Sequence, residues 1–413
     1  MDPSNTVEQI STGSMGEKYL GFKSQGFYSQ LFGKGSLRYQ LREFLLPYVR
    51  SESVYLHRIQ SCLRRTWLDK YFCYSATLGT HIFFMLALPI FFWSGCINFT
   101  LDITQLFAAG VYFSGILKDF LCLPRPMSPP LIRLTLSSDA EFEYGFPSTH
   151  TTNAVSTGSY SIFMLISMKE SISPTCFYAL LSLSLLYIFS IPLGRLYCGM
   201  HGFMDVTVGS LIGICLSCIQ WKYADIFHSV NTSSSVHVPI TIVALSLYLI
   251  WLHPLPAENC ICIDDSISFV AVIMGIDLGT WLSSPESINY LIKNIDATFL
   301  LHFMLRIVFG VTMIFFWRSF AKQAALSLLP SIYKMFRDDQ PNDPSAPKGI
   351  CAACGSDYQV GTTKTPLGNV SGHELCSKTV CFDYETVARI VIYAGIGFLS
   401  TYFAPILFRW WKI

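Results

Sequence analysis

The stretch Arg195-Leu196-Tyr197-Cys198-Gly199-Met200-His201-Gly202-Phe203-Met204-Asp205 lies between two long apolar segments. It sets an Arg, a His and an Asp where a membrane-spanning chain avoids polar groups. Ionisable residues in such places are costly, and they point to function. If a helix starts near His201, then His201 and Asp205 stand four residues apart on one face of it. A carboxylate there can accept the Nδ1–H of the imidazole, fix its tautomer and leave Nε2 as nucleophile or base. Arg195 adds a fixed cation whose planar fork suits phosphate. The stretch reads as a site that hydrolyses phosphate esters.

The surroundings are a membrane protein's. Of 413 residues, 52% are hydrophobic and only 13% charged, about half the charged share usual in soluble domains. Mean hydropathy is +0.44. A net charge of +1 carries no strong pull on nucleic acid. Several of the 14 Cys fall in or beside apolar segments, where they behave as small hydrophobes. Residues 1–40 are polar and show no cleavable signal, so insertion is expected to use an internal apolar segment.

Apolar spans are expected near 72–95, 101–117, 152–168, 175–193, 203–220, 238–254, 267–283, 297–317 and 387–408. At 1.5 Å per residue each is long enough, or nearly so, to cross about 30 Å of hydrocarbon. The fold class is therefore all-α, a polytopic helical membrane protein of about 8–10 transmembrane helices. Residues 1–37 read as a disordered polar terminus and 38–70 as a basic helical segment on the membrane surface. Residues 318–386 read as a polar loop containing Cys, and 387–413 as a C-terminal transmembrane helix.

Two further motifs sit on the same side as the first. The loop after the second span opens with Lys118 and runs to Arg125-Pro126; it closes with Pro147-Ser148-Thr149-His150 just before an apolar helix. Two helices separate this loop from Arg195–Asp205, so both lie on one face of the membrane. Lys118, Arg125 and Arg195 supply three positive charges for a phosphate dianion and its transition state. Ser148 reads as a helix cap, with the backbone N–H groups of Ser148, Thr149 and His150 pointing at an anion. His201, oriented by Asp205, attacks phosphorus and forms a phosphohistidine. His150 protonates the departing alkoxide and then serves as base for the attacking water. The cations come from side chains, and no metal or cofactor is called for.

These patterns resemble the type 2 phosphatidic acid phosphatase superfamily, whose signature is Lys-x6-Arg-Pro, Pro-Ser-x-His and Arg-x5-His-x3-Asp. The match covers roughly residues 72–220. It implies a helical-bundle phosphatase core over 71–221, with additional transmembrane helices over 222–317. The stretches Lys118–Pro126, Glu143–His150 and Tyr197–Gly202 resemble sphingosine-1-phosphate phosphatases, the fungal dihydrosphingosine-1-phosphate phosphatases in particular. That branch implies metal-independent removal of phosphate from long-chain base 1-phosphates in the endoplasmic reticulum membrane, with the site facing the lumen. The resemblance carries over His201 as nucleophile, His150 as acid and Asp205 as orienter. Lys118, Arg125, Ser148 and Arg195 are carried over as phosphate ligands, and Thr149 takes its place in the phosphate loop. The chain departs from the wider superfamily at Thr149, where Gly is common, and at Gly194, where many members have Ser. The partners implied are a lipid substrate and the membrane, without nucleic acid.

Alternatives within the same chemistry are a broader lipid phosphatase for phosphatidic acid or polyprenyl diphosphate, and a vanadate-dependent haloperoxidase. A different class is a non-catalytic lipid-phosphate binder or transporter. Asp277 and Arg306 fall inside apolar spans and are expected to pair, while Asp277 also has the sign to meet a long-chain base's amine. Cys351-x2-Cys354 and Cys376-x4-Cys381 allow a zinc site, disulfides or free thiols. The basic stretch 38–70 favours a cytoplasmic N-terminus. Two spans before Lys118 would then put the site in the cytoplasm, against the lumenal face that the resemblance implies. Sequons at Asn98, Asn231 and Asn369 offer a test, with Asn369 expected on the catalytic face and the other two opposite.

Overall fold

A computed structural model describes residues 20–413 except 80, 137–141, 232, 284–290, 292–298, 336–379 and 381. Every regular element among them is helical. Helices α1 (Gln25–Phe32), α2 (Leu37–Leu63) and α3 (Thr66–Ser75) lead into α4 (His81–Trp93). The central helices are α5 (Ile97–Leu121), α6 (Thr149–Ser167), α7 (Pro174–Tyr197) and α8 (Phe203–Asn231). Then follow α9 (His237–Leu252), α10 (Cys262–Leu282), α11 (Phe299–Met335) and α12 (Tyr384–Phe398). A π-helical turn, Leu399–Phe403, joins α12 to α13 (Ala404–Trp411). By length and hydropathy, five of these stretches among the described residues suffice to cross a membrane: 97–121, 174–197, 203–230, 300–335 and 384–411. The chain is a multi-spanning membrane protein.

Helix α5 is the axis of the bundle. It packs on α6, α8 and α10 and also touches α4. The expected span 101–117 is longer in the structure, because polar Asp102 and Lys118 sit inside the helix rather than ending it. Asp102, 2% exposed, accepts from Tyr160 Oη at 2.5 Å, Gln220 Nε2 at 2.9 Å and His228 Nε2 at 3.0 Å. A charge at membrane depth is tolerated when it is paired in this way.

Helix α6 is polar for a buried membrane helix. Thr151, Thr152, Asn153, Ser156 and Thr157 are all buried. The hydroxyls of Thr152, Ser156 and Thr157 bond back to main-chain carbonyls three or four residues earlier, as Thr157 Oγ1 does to the Asn153 carbonyl at 2.7 Å. Gly209 and Gly213 of α8 let the two backbones meet. A Cβ on either would fall 2.8 Å from the Ser148 carbonyl or 2.7 Å from the Thr152 carbonyl. Small residues spaced like this are how membrane helices approach closely, and here they bring the first turns of α6 and α8 together.

The N-terminal segments cover that same end of the bundle. Residues 20–36 differ from the expected disordered terminus: α1 is capped by Ser24, and Tyr28 is buried against Cys122, Tyr144 and Cys260. Helix α2 lies across the end of α5. Arg38 donates to the carbonyls of Phe120 at 2.7 Å, Asp119 at 2.6 Å and Leu255 at 3.0 Å. Arg42, 1% exposed, donates to the Gly21 carbonyl at 2.9 Å. Basic side chains at a helix C-terminus satisfy its orphan carbonyls.

The opposite end is tied by Arg306. Expected to face Asp277, it donates to the carbonyls of Trp93 at 3.1 Å, Leu291 at 3.3 Å and Ile413 at 3.1 Å. The tetrad Cys351, Cys354, Cys376 and Cys381 lies outside the described residues.

Candidate active site

Four segments meet where α5 ends and α6 and α8 begin. The last turn of α5 contributes Lys118, and the loop after it contributes Arg125. The loop before α6 contributes Glu143, Gly145 and Ser148. The last turn of α7 and the turn into α8 contribute Arg195, His201 and Asp205. Lys118, Arg125, Arg195 and His201 are 0%, 4%, 6% and 1% exposed.

The imidazole has a defined orientation. His201 Nδ1 stands 2.9 Å from the Gly145 carbonyl oxygen. A carbonyl only accepts, so Nδ1 carries the proton and Nε2 the lone pair. Arg125 Nη1 at 3.2 Å and Arg195 Nη2 at 3.3 Å donate to Nε2. Asp205, expected as the Nδ1 acceptor, stands farther off: its Oδ2 is 3.5 Å from Nδ1 and accepts the Gly202 N–H at 2.8 Å. The first turn of α8 holds the carboxylate to its own backbone, and the loop before α6 takes the imidazole proton. Burial, then Arg125, Arg195 and Lys118, hold the His201 pKa well below the ordinary histidine value. The ring is therefore neutral near pH 7.

The cations converge on a carboxylate. Lys118 Nζ pairs with Glu143 Oε1, and Arg125 Nη2 with Glu143 Oε2 at 2.5 Å. Arg125 Nε also donates to the Glu143 main-chain carbonyl at 3.1 Å, and Nη1 to the Met200 carbonyl at 2.9 Å. Burial works to raise the Glu143 carboxyl, but Lys118 and Arg125 outweigh it and hold it below the usual carboxylate range. His150, half-buried in the first turn of α6, bears electrostatically on both Glu143 and His201. The expected charges and both histidines are thus gathered around one point.

The backbone cradle differs in part from expectation. Ser148 N–H donates to the Asp205 carbonyl at 3.0 Å, so it is spent in joining α6 to α8. Ser148 Oγ accepts from Thr151 N at 3.4 Å, as a helix cap. Thr149 Oγ1 accepts from Ser114 Oγ at 2.9 Å, which turns that side chain toward α5.

Three residues here escaped the sequence reading. Gly145 acts through its carbonyl, which no side-chain pattern reveals. Glu143 was one of three acids, with Asp139 and Glu141, between two cationic motifs, and nothing in the sequence singled it out. Glu52 comes from α2, where its Oε1 accepts the Met204 N–H at 2.9 Å beside Asp205. Burial, together with the Asp205 charge, pushes the Glu52 carboxyl up to about 7.

Among the described residues, the group close enough to share a metal ion is Asp119, Cys260 and Cys262, with ligand atoms within 4.8 Å of one another. It begins one residue past Lys118 and includes none of the cradle residues. The apolar crevice lined by Leu88, Pro89, Phe269, Val272 and Tyr393 likewise contains no cradle residue.

A cation cluster around a buried neutral histidine, in a bundle of membrane helices, defines a helical membrane phosphatase. The PAP2 superfamily pattern matches residues 99–228. The chain is 62% identical over 399 residues to a dihydrosphingosine 1-phosphate phosphatase of Schizosaccharomyces pombe, covering 96% of this chain and 97% of that one. It is 30% identical to a dihydrosphingosine 1-phosphate phosphatase of Saccharomyces cerevisiae, covering 91% of this chain and 87% of the relative. It is 28% identical to sphingosine-1-phosphate phosphatase 2 of Homo sapiens, covering 64% and 67%. No solved structure matches. The chain belongs to the PAP2 superfamily of phosphatases and is closely related to its fungal dihydrosphingosine 1-phosphate phosphatases.

Proposed function

We propose that the protein hydrolyses long-chain base 1-phosphates at the cradle around His201, without a metal, in the endoplasmic reticulum membrane and on its lumenal face. The observation that carries the reaction is the His201 environment: Nδ1–H is given to the Gly145 carbonyl at 2.9 Å, and Nε2 faces two guanidinium groups. A phosphate drawn to Lys118, Arg125 and Arg195 meets that lone pair directly.

In the first step Nε2 attacks phosphorus. A P–N bond forms as the P–O bond to the lipid breaks, and His150 gives its proton to the departing alkoxide. The three cations stabilise the charge gathered on the equatorial oxygens. Asp205, 3.5 Å away, supports the positive charge that the imidazole gains. In the second step water attacks phosphorus, His150 takes its proton, the P–N bond breaks and inorganic phosphate leaves. Leu186, Phe189 and Leu193 on α7 are exposed just before Arg195 and offer an apolar approach for a lipid chain.

The test is phosphate release by purified protein in detergent with EDTA, from dihydrosphingosine 1-phosphate and from phosphatidic acid, for wild type and His201→Ala. Release from the first lipid, lost in the variant, is expected. Equal release from both would make it a broader lipid phosphatase. Binding without release from either would make it a lipid-phosphate binder.

A further inference from the structure

We propose that Glu143 is the ammonium subsite of the cradle, the group that selects a phosphate lipid carrying a free amine on the carbon next to the phosphate-bearing one. The inference rests on the reading of the cradle as a long-chain base 1-phosphate site and adds the residue that reads the base.

Glu143 stands where a phosphate must go. Its two oxygens occupy Lys118 and Arg125, the cations that a phosphate dianion needs. The carboxylate is 20% exposed, against 1% and 3% for the two cationic side chains, so it forms the cradle's mouth. An arriving dianion competes for both cations and repels the carboxylate. The residue itself stays in place, because Arg125 Nε holds its main-chain carbonyl at 3.1 Å. Only the flexible side chain has to turn.

Charge accounting then separates the substrates. A long-chain base 1-phosphate brings a dianion and one ammonium. The dianion takes Lys118 and Arg125; the ammonium, on the neighbouring carbon, replaces them as the partner of Glu143. Phosphatidic acid brings the dianion alone and leaves a part-buried carboxylate without a cation, which is costly. The specificity is of the kind that leaves an unpaired group against the wrong partner.

Other carboxylates are worse placed. Asp205 is 0% exposed and held by Gly202 and His201. Asp119 is 0% exposed and one residue past Lys118. Glu52 is engaged by Met204. Asp277 lies far along α10 from Cys262 at the cradle end, roughly 22 Å deep at 1.5 Å per residue.

The experiment compares kcat/KM for dihydrosphingosine 1-phosphate and its N-acetyl derivative, which keeps chain and phosphate but loses the amine's charge. Wild type, Glu143→Gln and Glu143→Asp are measured. Wild type is expected to prefer the free amine by tenfold or more. In Glu143→Gln the ratio falls to within threefold of one, whichever way the absolute rates move, and Glu143→Asp keeps part of the preference. An unchanged ratio in Glu143→Gln, or no preference in wild type, would overturn the proposal. Equilibrium binding of both lipids to His201→Ala and to His201→Ala/Glu143→Gln gives the same ratio without turnover. If wild type cleaves phenyl phosphate but neither lipid, the proposed reaction fails, and the binding ratio still decides the role of Glu143.

Discussion

The carbonyl oxygen of Gly145 lies 2.9 Å from Nδ1 of His201, closer than the Asp205 carboxylate at 3.5 Å. Two groups therefore divide the work usually given to one. The carbonyl fixes the tautomer, and in the proposed reaction the carboxylate answers the charge that develops on the ring. Asp205→Asn retains the first and loses the second, and its amide oxygen can still accept the Gly202 N–H. It should lower kcat by about 10- to 100-fold, the range typical for a partner behind an imidazole. His201→Ala removes the proposed nucleophile and should cost at least about 10⁴-fold. Single-turnover phosphate release from the two variants checks the difference. Equal losses would mean that the carbonyl does not hold the tautomer.

Glycine is needed at 145 for a steric reason. A Cβ there would stand 2.7 Å from the Pro124 carbonyl and 2.9 Å from Arg125 Cα. Gly145 N–H is itself bonded to the Leu123 carbonyl at 2.9 Å. Gly145→Ala must push the two loops apart, moving the His201 acceptor and Arg125 together. Activity is expected to fall at least about 100-fold, since a displacement of about 1 Å at a reacting group costs that much. The thermal midpoint in detergent should change by only a few degrees. Full activity would show that the loops do not position the site.

The pH dependence follows from the His201 environment. Burial and the cations Arg125, Arg195 and Lys118 lower its pKa, so the neutral ring persists to lower pH than an ordinary histidine would allow. The acid limb of kcat/KM from His201 should lie below about 6.5, the unperturbed value. Arg195→Gln removes one lowering charge and should move that limb upward, although the absolute rate falls. Parallel profiles with phenyl phosphate and lipid separate this limb from ionisation of the substrate. A limb that stays in place would remove Arg195 from the electrostatics of His201.

The side chains that meet at the candidate site were legible because they are of unusual type for a membrane. Lys118, Arg125, His150, Arg195 and His201 stand out in a chain with 13% charged residues, and helix counting puts them on one face. The acceptor of the His201 proton was not legible, because a backbone carbonyl leaves no trace in residue identity. The N-terminal basic stretch has a structural use besides any topological one. Arg38 and Arg42 are spent on carbonyls at the end of α5 and near α1, and Arg64 pairs with Asp69 at 3.1 Å. Such charges say less about which side the segment prefers. Helix α6 was short by three residues in the expectation, because its first turn is Thr149-His150-Thr151, polar residues that a hydropathy reading leaves in the loop.

Orientation can be read with glycans. Tyr333 Oη donates to the Phe382 carbonyl at 2.8 Å, so the two described ends flanking 336–379 meet, on the face where α11 ends and α12 begins. Arg389 pairs with Asp264 at 3.0 Å and links that face to the cradle end of α10. Asn98 is exposed in the first turn of α5, the end opposite Lys118. A lumenal cradle predicts glycan at Asn369 and none at Asn98, read as a mobility shift after endoglycosidase treatment of Asn→Gln variants. Glycan at Asn98 would place the cradle in the cytoplasm.

Glu52 links the surface helix to the site, at a cost that varies with pH. Its carboxyl is raised to about 7 because burial beside Asp205 penalises its charged form. The folded protein therefore binds more protons than the unfolded chain between about 4.5 and about 7. The stability this contributes is complete below the unfolded value and is lost as pH rises through the folded one. Glu52→Gln carries no titrating proton, and its amide oxygen can still accept the Met204 N–H. Its thermal midpoint in detergent should exceed that of wild type by a few degrees at pH 8, with the gap closing toward pH 5. A gap that is constant with pH would mean that Glu52 is solvated and charged throughout, and that α2 does not seal the cradle against water.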